Sequence, residues 1–169
     1  MHVLVTGGAG YIGSQMVHIF NDMNIKVTVI DNLSTGSIKS LPNNVELIKC
    51  NVGNEEKVFN LIKERKIDSV VHFAASVIVP ESVINPIKYF DNNTSETIKL
   101  VKSCVKAKIN KFIFSSTAAV YGNPKNHIVL ENSEKLPESP YGTSKLMSEK
   151  IIEDTFSKHS ISYIVLRYF

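Results

Sequence analysis

VLVTGGAGYIG, residues 3–13, is a short apolar, β-branched run followed by Gly7, Gly10 and Gly13 and the opening of an amphipathic pattern that continues to 23. A strand that turns through glycines into a helix is the opening of a βαβ unit, and each glycine has a separate physical task. Gly7 permits the tight turn, Gly10 leaves the backbone open to a pyrophosphate at the helix N-terminus, and Gly13 lets the helix lie close on the strand. An acid, Asp31, ends the next apolar run, eighteen residues past Gly13. Strand, glycine triplet, helix, strand and acid in this order point to dinucleotide binding, where a lone glycine triplet would not.

Outward from this unit the same alternation continues. Apolar runs at 3–5, 27–30, 45–48, 70–73, 112–114 and 163–166 read as strands, and longer patterns at 11–23, 55–66, 86–108 and 141–158 read as helices. Strands apolar on both faces belong in a parallel sheet covered on either side. The expected fold is therefore α/β, a Rossmann-type doubly wound parallel sheet with helices on both faces, in one domain spanning 1–169. Ser139 and Pro140 suit the start of the last helix, and Met147, Ile151, Ile152 and Phe156 give it an apolar stripe. The longest irregular stretch is 116–140, rich in Pro, Asn and Ser.

Composition excludes several classes. The 169 residues are 43% hydrophobic and 21% charged, enough for one real core, and the formal charge of +3 is spread over scattered lysines with no basic block or stripe. Nucleic acid is not indicated. The two cysteines, Cys50 and Cys104, form no C-x-x-C pattern, so neither a disulfide framework nor a metal site is expected and a reducing compartment, the cytoplasm, is. MHVLVTGG reaches glycine too soon for a signal peptide or a membrane span. The sequons at Asn32, Asn92 and Asn93 then read as accidental.

Cofactor choice rests on Asp31. Its carboxylate can accept from both ribose hydroxyls and would repel a 2′-phosphate, and DNLSTG, residues 31–36, offers no arginine to receive one. NAD is favoured over NADP.

SPYGTSK, residues 139–145, sets a phenol, Tyr141, four residues before an amine, Lys145. In a helix the two stack one turn apart. A free phenol, with a pKa near 10, is a poor base at neutral pH. A positive charge roughly 5 Å away, at an effective dielectric of about 20, would favour the phenolate by on the order of 3 kcal/mol, about 2 pKa units. The expectation is a phenol that titrates near neutrality and shuttles the proton of an alcohol. Y-x-x-x-K also arises often by chance, and the pair alone does not choose.

TGGAGYIG, DNLSTG, HFAASVIVPESV, SSTAAVYG, SPYGTSK and the terminal LRYF together resemble the extended short-chain dehydrogenase/reductase family along the whole chain, and within it the branch that epimerises UDP-sugars at C4 (the UDP-glucose/UDP-galactose type). The resemblance implies catalytic roles for Tyr141, Lys145 and Thr117. It implies contacts to NAD from Gly7, Gly10, Tyr11, Ile12, Gly13, Asp31, Asn32, Phe73, Ala74, Ala75, Asn93, Ser115, Tyr141, Lys145 and Phe169. Asn51 and Val52 stand where the family has an acid and an aliphatic residue that grip the adenine; an amide there still accepts a hydrogen bond but carries no charge. His72 reads as a structural strand-end residue. Sugar-nucleotide dehydratases of the family carry Asp-Glu directly after the active-site threonine; Ala118 and Ala119 cannot act as acids, which disfavours that chemistry.

The resemblance also implies a UDP-sugar substrate, a homodimer through the helices at 86–108 and 141–158, and a further substrate-binding domain not among these residues. The expectation is a piece of a larger enzyme, able to bind NAD without turning over substrate. Two alternatives remain open: another sugar-nucleotide oxidoreductase of the same family, and a nucleotide-binding module without turnover.

Overall fold

A computed structural model describes residues 1–124 and 128–169. Six strands, β1 (His2–Thr6), β2 (Lys26–Asp31), β3 (Glu46–Lys49), β4 (Ser69–His72), β5 (Lys111–Thr117) and β6 (Ser162–Tyr168), form one sheet in the order β3-β2-β1-β4-β5-β6. Every neighbouring pair is parallel. The order reverses between β1 and β4. At such a switch point the strand ends open a crevice suited to a ligand.

Strand periodicity sorts the core into two layers. Leu4, Ile30, Val70, Phe112 and Phe114 face a cluster closed by helices α2 (Glu55–Arg65), α5 (Glu96–Ala107) and α6 (Pro140–His159). Val3, Val5, Val27, Val29 and Val71 face the other way, against Val17 of α1 (Tyr11–Asp22). The Phe112 and Phe156 rings meet at 5.0 Å between centroids, so Phe156→Ala would cost about 3–5 kcal/mol. Cover is uneven. Register carries the α1-side face from Ile113 to Ile164, and there Ile164 is 56% exposed and Tyr168 40%.

Local chemistry sets the helix ends. Asn54 caps α2 by accepting from Lys57 N at 3.1 Å, and Ser139 caps α6 by accepting from Gly142 N at 3.1 Å, with Pro140 in the first turn. The helix expected at 86–108 is three contiguous segments: α4 (Pro86–Tyr89), a π-helical stretch Phe90–Ser95, and α5. A further short helix, α3 (Val79–Ile84), precedes them. The stretch expected to be irregular from 116 is still β5 at Ser116 and Thr117 and then a 3-10 turn, Ala118–Tyr121; residues 125–127 of that stretch lie outside those described. No helix among the described residues is long and apolar enough to cross a membrane.

Candidate active site

The glycine turn follows β1. Gly7 has φ +67°, and a Cβ there would meet the Ala74 backbone nitrogen at 2.6 Å, so this turn and the start of the loop after β4 touch backbone to backbone. At Gly13 a Cβ would sit 2.2 Å from the Gly7 carbonyl oxygen. Gly10 differs: its missing Cβ would meet only that same oxygen, at 3.3 Å, and no side chain caps α1 there. The chain's own packing scarcely needs glycine at 10, whereas a ligand approaching the first-turn N–H groups would. Tyr11 and Ile12 stand 87% and 46% exposed at this end.

Asp31 closes the other side. Its carboxylate accepts from Ala9 N at 3.0 Å and Leu33 N at 2.8 Å, which ties the end of β2 to the glycine turn. Carboxylate oxygens accept several bonds, so capacity for a diol remains. Beyond it the Asn32 amide donates to Asn51 Oδ1 at 3.0 Å, and a cavity of about 590 Å³ opens between Asn32, Asn51, Gly53, Lys57 and Glu96. Val52 is buried in the core. These groups fit a dinucleotide: an uncapped helix start, an approachable Gly10, a carboxylate at the strand end and a recess past it.

Phe73, Ala74 and Ala75 leave β4 beside the glycine turn, with Phe73 N donating to Thr6 O at 2.9 Å. Asn93 lies behind them. It is 2% exposed, its oxygen accepts from Ser76 N at 2.7 Å, and its nitrogen donates to Ser76 O at 2.9 Å and Ser144 Oγ at 3.0 Å. Both amide protons are thus committed to holding the loop after β4 against α6. His72 is likewise internal, bridging Thr6 Oγ1 at 2.6 Å and Thr97 Oγ1 at 2.9 Å. Because Thr97 donates to Asn93 O at 2.6 Å, its oxygen accepts from His72 Nε2–H, and Thr6 donates to Nδ1. Burial, with Lys145 nearby, pushes the imidazole down to about 3, so it stays neutral.

Thr117 ends β5, and Tyr141 and Lys145 rise one turn apart on α6. The Tyr141 ring meets Tyr89 edge-on at 6.3 Å between centroids, and Lys145 is buried with Nζ 4.3 Å over the Phe114 ring. The expected neutral-range phenol is not found in the protein by itself. Burial raises the Tyr141 pKa, the Thr117 hydroxyl opposes that rise, and no lowering by Lys145 is resolved. Lys145 is itself pushed down to about 7 by burial, against the pull of Glu149. Ser115 sits half-buried on β5, and Phe169, 90% exposed, stacks on the Tyr121 ring at 6.4 Å.

Two site-side residues escape a sequence reading: Glu149, 6% exposed, and Arg167, which pair at 2.8 Å. The available signal was Glu149's place one further turn beyond Lys145. Among the described residues no cluster of three or more His, Cys, Asp or Glu could hold a metal, and both cysteines are free.

Compared with known proteins, the chain matches the family described as "NAD dependent epimerase/dehydratase family" over residues 3–169. It is 43% identical over 167 residues to a UDP-glucose 4-epimerase of Azospirillum brasilense, covering 99% of this chain and 48% of that protein. With a UDP-glucose 4-epimerase of Lacticaseibacillus casei it shares 41% over 169 residues, covering 100% and 51%. Among solved structures it resembles the UDP-Glc/GlcNAc 4-epimerase from Campylobacter jejuni (TM-score 0.95, 41% identity, 99% of this chain and 53% of that one). It also resembles the UDP-glucose 4-epimerase from Brucella ovis in complex with NAD (TM-score 0.95, 34% identity, 99% and 51%). The chain spans about half the length of the curated relatives it matches.

Proposed function

This chain belongs to the NAD dependent epimerase/dehydratase family, and we propose that it supplies the cofactor site and the proton-transfer residues of an enzyme that inverts C4 of a UDP-sugar through a 4-keto intermediate. The observation that carries this reading is that the Thr117 hydroxyl acts on Tyr141 and that Lys145, one turn on, lies over the Phe114 ring that also packs on His72, the last residue of the switch-point strand β4. The UDP-glucose and UDP-GlcNAc named for relatives support a UDP-sugar as the substrate class.

When bound, NAD supplies a reversible acceptor for the hydride of C4. The chain's residues manage the proton and the geometry. Gly10 and the start of α1 would hold the pyrophosphate, and Asp31 would hold the adenosine ribose. Tyr141 takes the C4 hydroxyl proton at its phenolic oxygen and later returns it, so the net proton count is zero. Thr117 donates to the reacting oxygen and orients it. Lys145, one turn along α6, supplies positive charge beside the phenol when its amine is protonated.

Ala118 and Ala119 leave no acid beside Thr117 to expel a hydroxyl, which favours epimerisation over dehydration. The same reading proposes that residues 1–169 form the NAD domain, that a separate domain completes the sugar site, and that the enzyme is a homodimer through α5 and α6. The test is a chimera joining these residues to the second half of the Azospirillum brasilense relative, assayed with UDP-galactose and NAD. Interconversion with UDP-glucose supports the reading; NAD binding in a folded chimera with no interconversion overturns it.

A further inference from the structure

The buried face of α6 is polar where it meets the sheet ends: Ser144, Lys145, Ser148 and Glu149 are all buried, and only Ile152 and Phe156 continue the face as hydrocarbon. Glu149 has no part in the proton transfer above. Its carboxylate accepts from Arg167 Nε at 3.0 Å and Nη2 at 2.8 Å, and from Ser116 Oγ. Arg167 reaches on to the Tyr121 hydroxyl at 2.7 Å and the Glu131 carbonyl at 3.2 Å. Ser116 is the residue before Thr117, and Arg167 stands two residues before Phe169. One carboxylate therefore joins α6 to β5 and to β6 at the level of the site.

We propose that Glu149 is a positioning residue for the Tyr141–Lys145 pair, fixing α6 in register with Thr117 through Ser116 and Arg167 and setting a carboxylate one helical turn from the buried Lys145 amine. This rests on the reading of Tyr141 and Lys145 as the proton-moving pair. The groups that face Lys145 are the neutral His72 of β4, the Phe114 ring of β5, and Tyr141 and Glu149 of α6, with Arg167 of β6 behind the carboxylate. Among them Glu149 is the negative charge, and it opposes the fall that burial imposes on the amine. A buried bidentate Arg–carboxylate pair fixes direction as well as distance. Truncating one partner leaves the other charge unpaired, so the two single variants perturb the electrostatics with opposite signs.

That opposition makes the test. The Lys145 amine is titrated by carbon NMR of lysine labelled at Cε, its resonance assigned by loss in Lys145→Met. Glu149→Gln is expected to lower the amine pKa by about one unit or more, and Arg167→Gln to raise it. A role confined to holding the fold would hydrate Lys145 in both variants and raise the pKa in both; that outcome, or no change in either, overturns the proposal. If a single variant does not fold, Glu149→Gln combined with Arg167→Gln removes both charges and leaves a polar side chain at each position, and is expected to lower the pKa by a smaller amount, a rise again overturning it. The titration uses no cofactor. Failure of the wild-type chain to bind NAD would count against the proposed function and leave this measurement intact.

Discussion

The ammonium nitrogen of Lys145 lies 4.3 Å above the centre of the Phe114 ring, and the His72 ring stacks on the same phenylalanine at 5.6 Å between centroids. Phe114 thus packs against two basic groups that the fold has taken out of water. The ring face favours the cation, but that contribution, about 0.5–2 kcal/mol, is smaller than the desolvation it offsets. Lys145 falls from 10.5 to about 7 and His72 from 6.5 to about 3.

Lys145 should therefore give the chain a measurable alkaline stabilisation. Between about pH 7 and 10.5 the unfolded lysine holds a proton that the folded one has lost. The unfolded state then binds more protons, so stability rises with pH across that window. Lys145→Met removes the slope and is more stable than the parent at neutral pH, by on the order of 3 kcal/mol. Urea titrations of both proteins from pH 6 to 10 check this. A parent no steeper in pH than the variant would show that the amine is already well solvated.

Tyr141→Phe keeps the ring and its edge-on contact with Tyr89, and removes the oxygen that the mechanism needs. In the chimera with a substrate domain, turnover is expected to fall by about 10²- to 10⁴-fold. NAD affinity should stay within a few-fold. Steady-state assays paired with NAD titration measure both; full turnover by the variant would assign the proton to another group.

The elements that sequence alone makes legible are those whose pattern is local. The turn at Gly7, the helix after it and Asp31 are read within thirty-one residues, and β1 and β4 are apolar on both faces because both faces are covered. What escapes is burial by partnership. FDNNTS, residues 90–95, is a polar run inside the span expected to be helical, yet Asn93 and Thr94 are buried because they bond to Ser76 and Ser144, which lie 17 and 50 residues away in the chain. The expected stripe on α6 was half right: Ile152 and Phe156 are core, Met147 is 47% exposed, and the true inward face runs through Lys145 and Glu149. Periodicity of hydrophobicity cannot find a face made of charges that satisfy each other. The helix at Val79–Ile84 is six residues long, too short for a period to register.

Gly10 and Gly13 should separate folding from binding. A Cβ at 13 would lie 2.2 Å from a backbone oxygen that cannot move aside, so Gly13→Ala is expected to destabilise the chain by about 1–3 kcal/mol or more. At 10 the nearest contact is 3.3 Å. Gly10→Ala should cost less stability than Gly13→Ala and lose NAD affinity at least about tenfold, since the methyl group occupies space the pyrophosphate needs. Thermal melts with and without NAD discriminate the two. Unchanged NAD affinity in Gly10→Ala would mean that the pyrophosphate does not approach the start of α1.

Asp31 is the last group whose removal makes a directional prediction. Both its oxygens already hold backbone, at Ala9 and Leu33, so Asp31→Ala would loosen the glycine turn as well as delete the ribose acceptor. Asp31→Asn is the cleaner change: it keeps an acceptor oxygen, removes the charge, and sets an amide proton against one of those backbone donors. The parent should prefer NAD to NADP because a carboxylate next to the ribose repels a 2′-phosphate. Neutralising it should weaken NAD by several-fold while leaving NADP unchanged or tighter, so the ratio of the two affinities narrows by about tenfold, equivalent to about 1.4 kcal/mol. Competitive titration of both dinucleotides against parent and variant reads the ratio directly. An unchanged ratio would place cofactor selection in another part of the recess, at Asn32, Asn51 or the lysines around it.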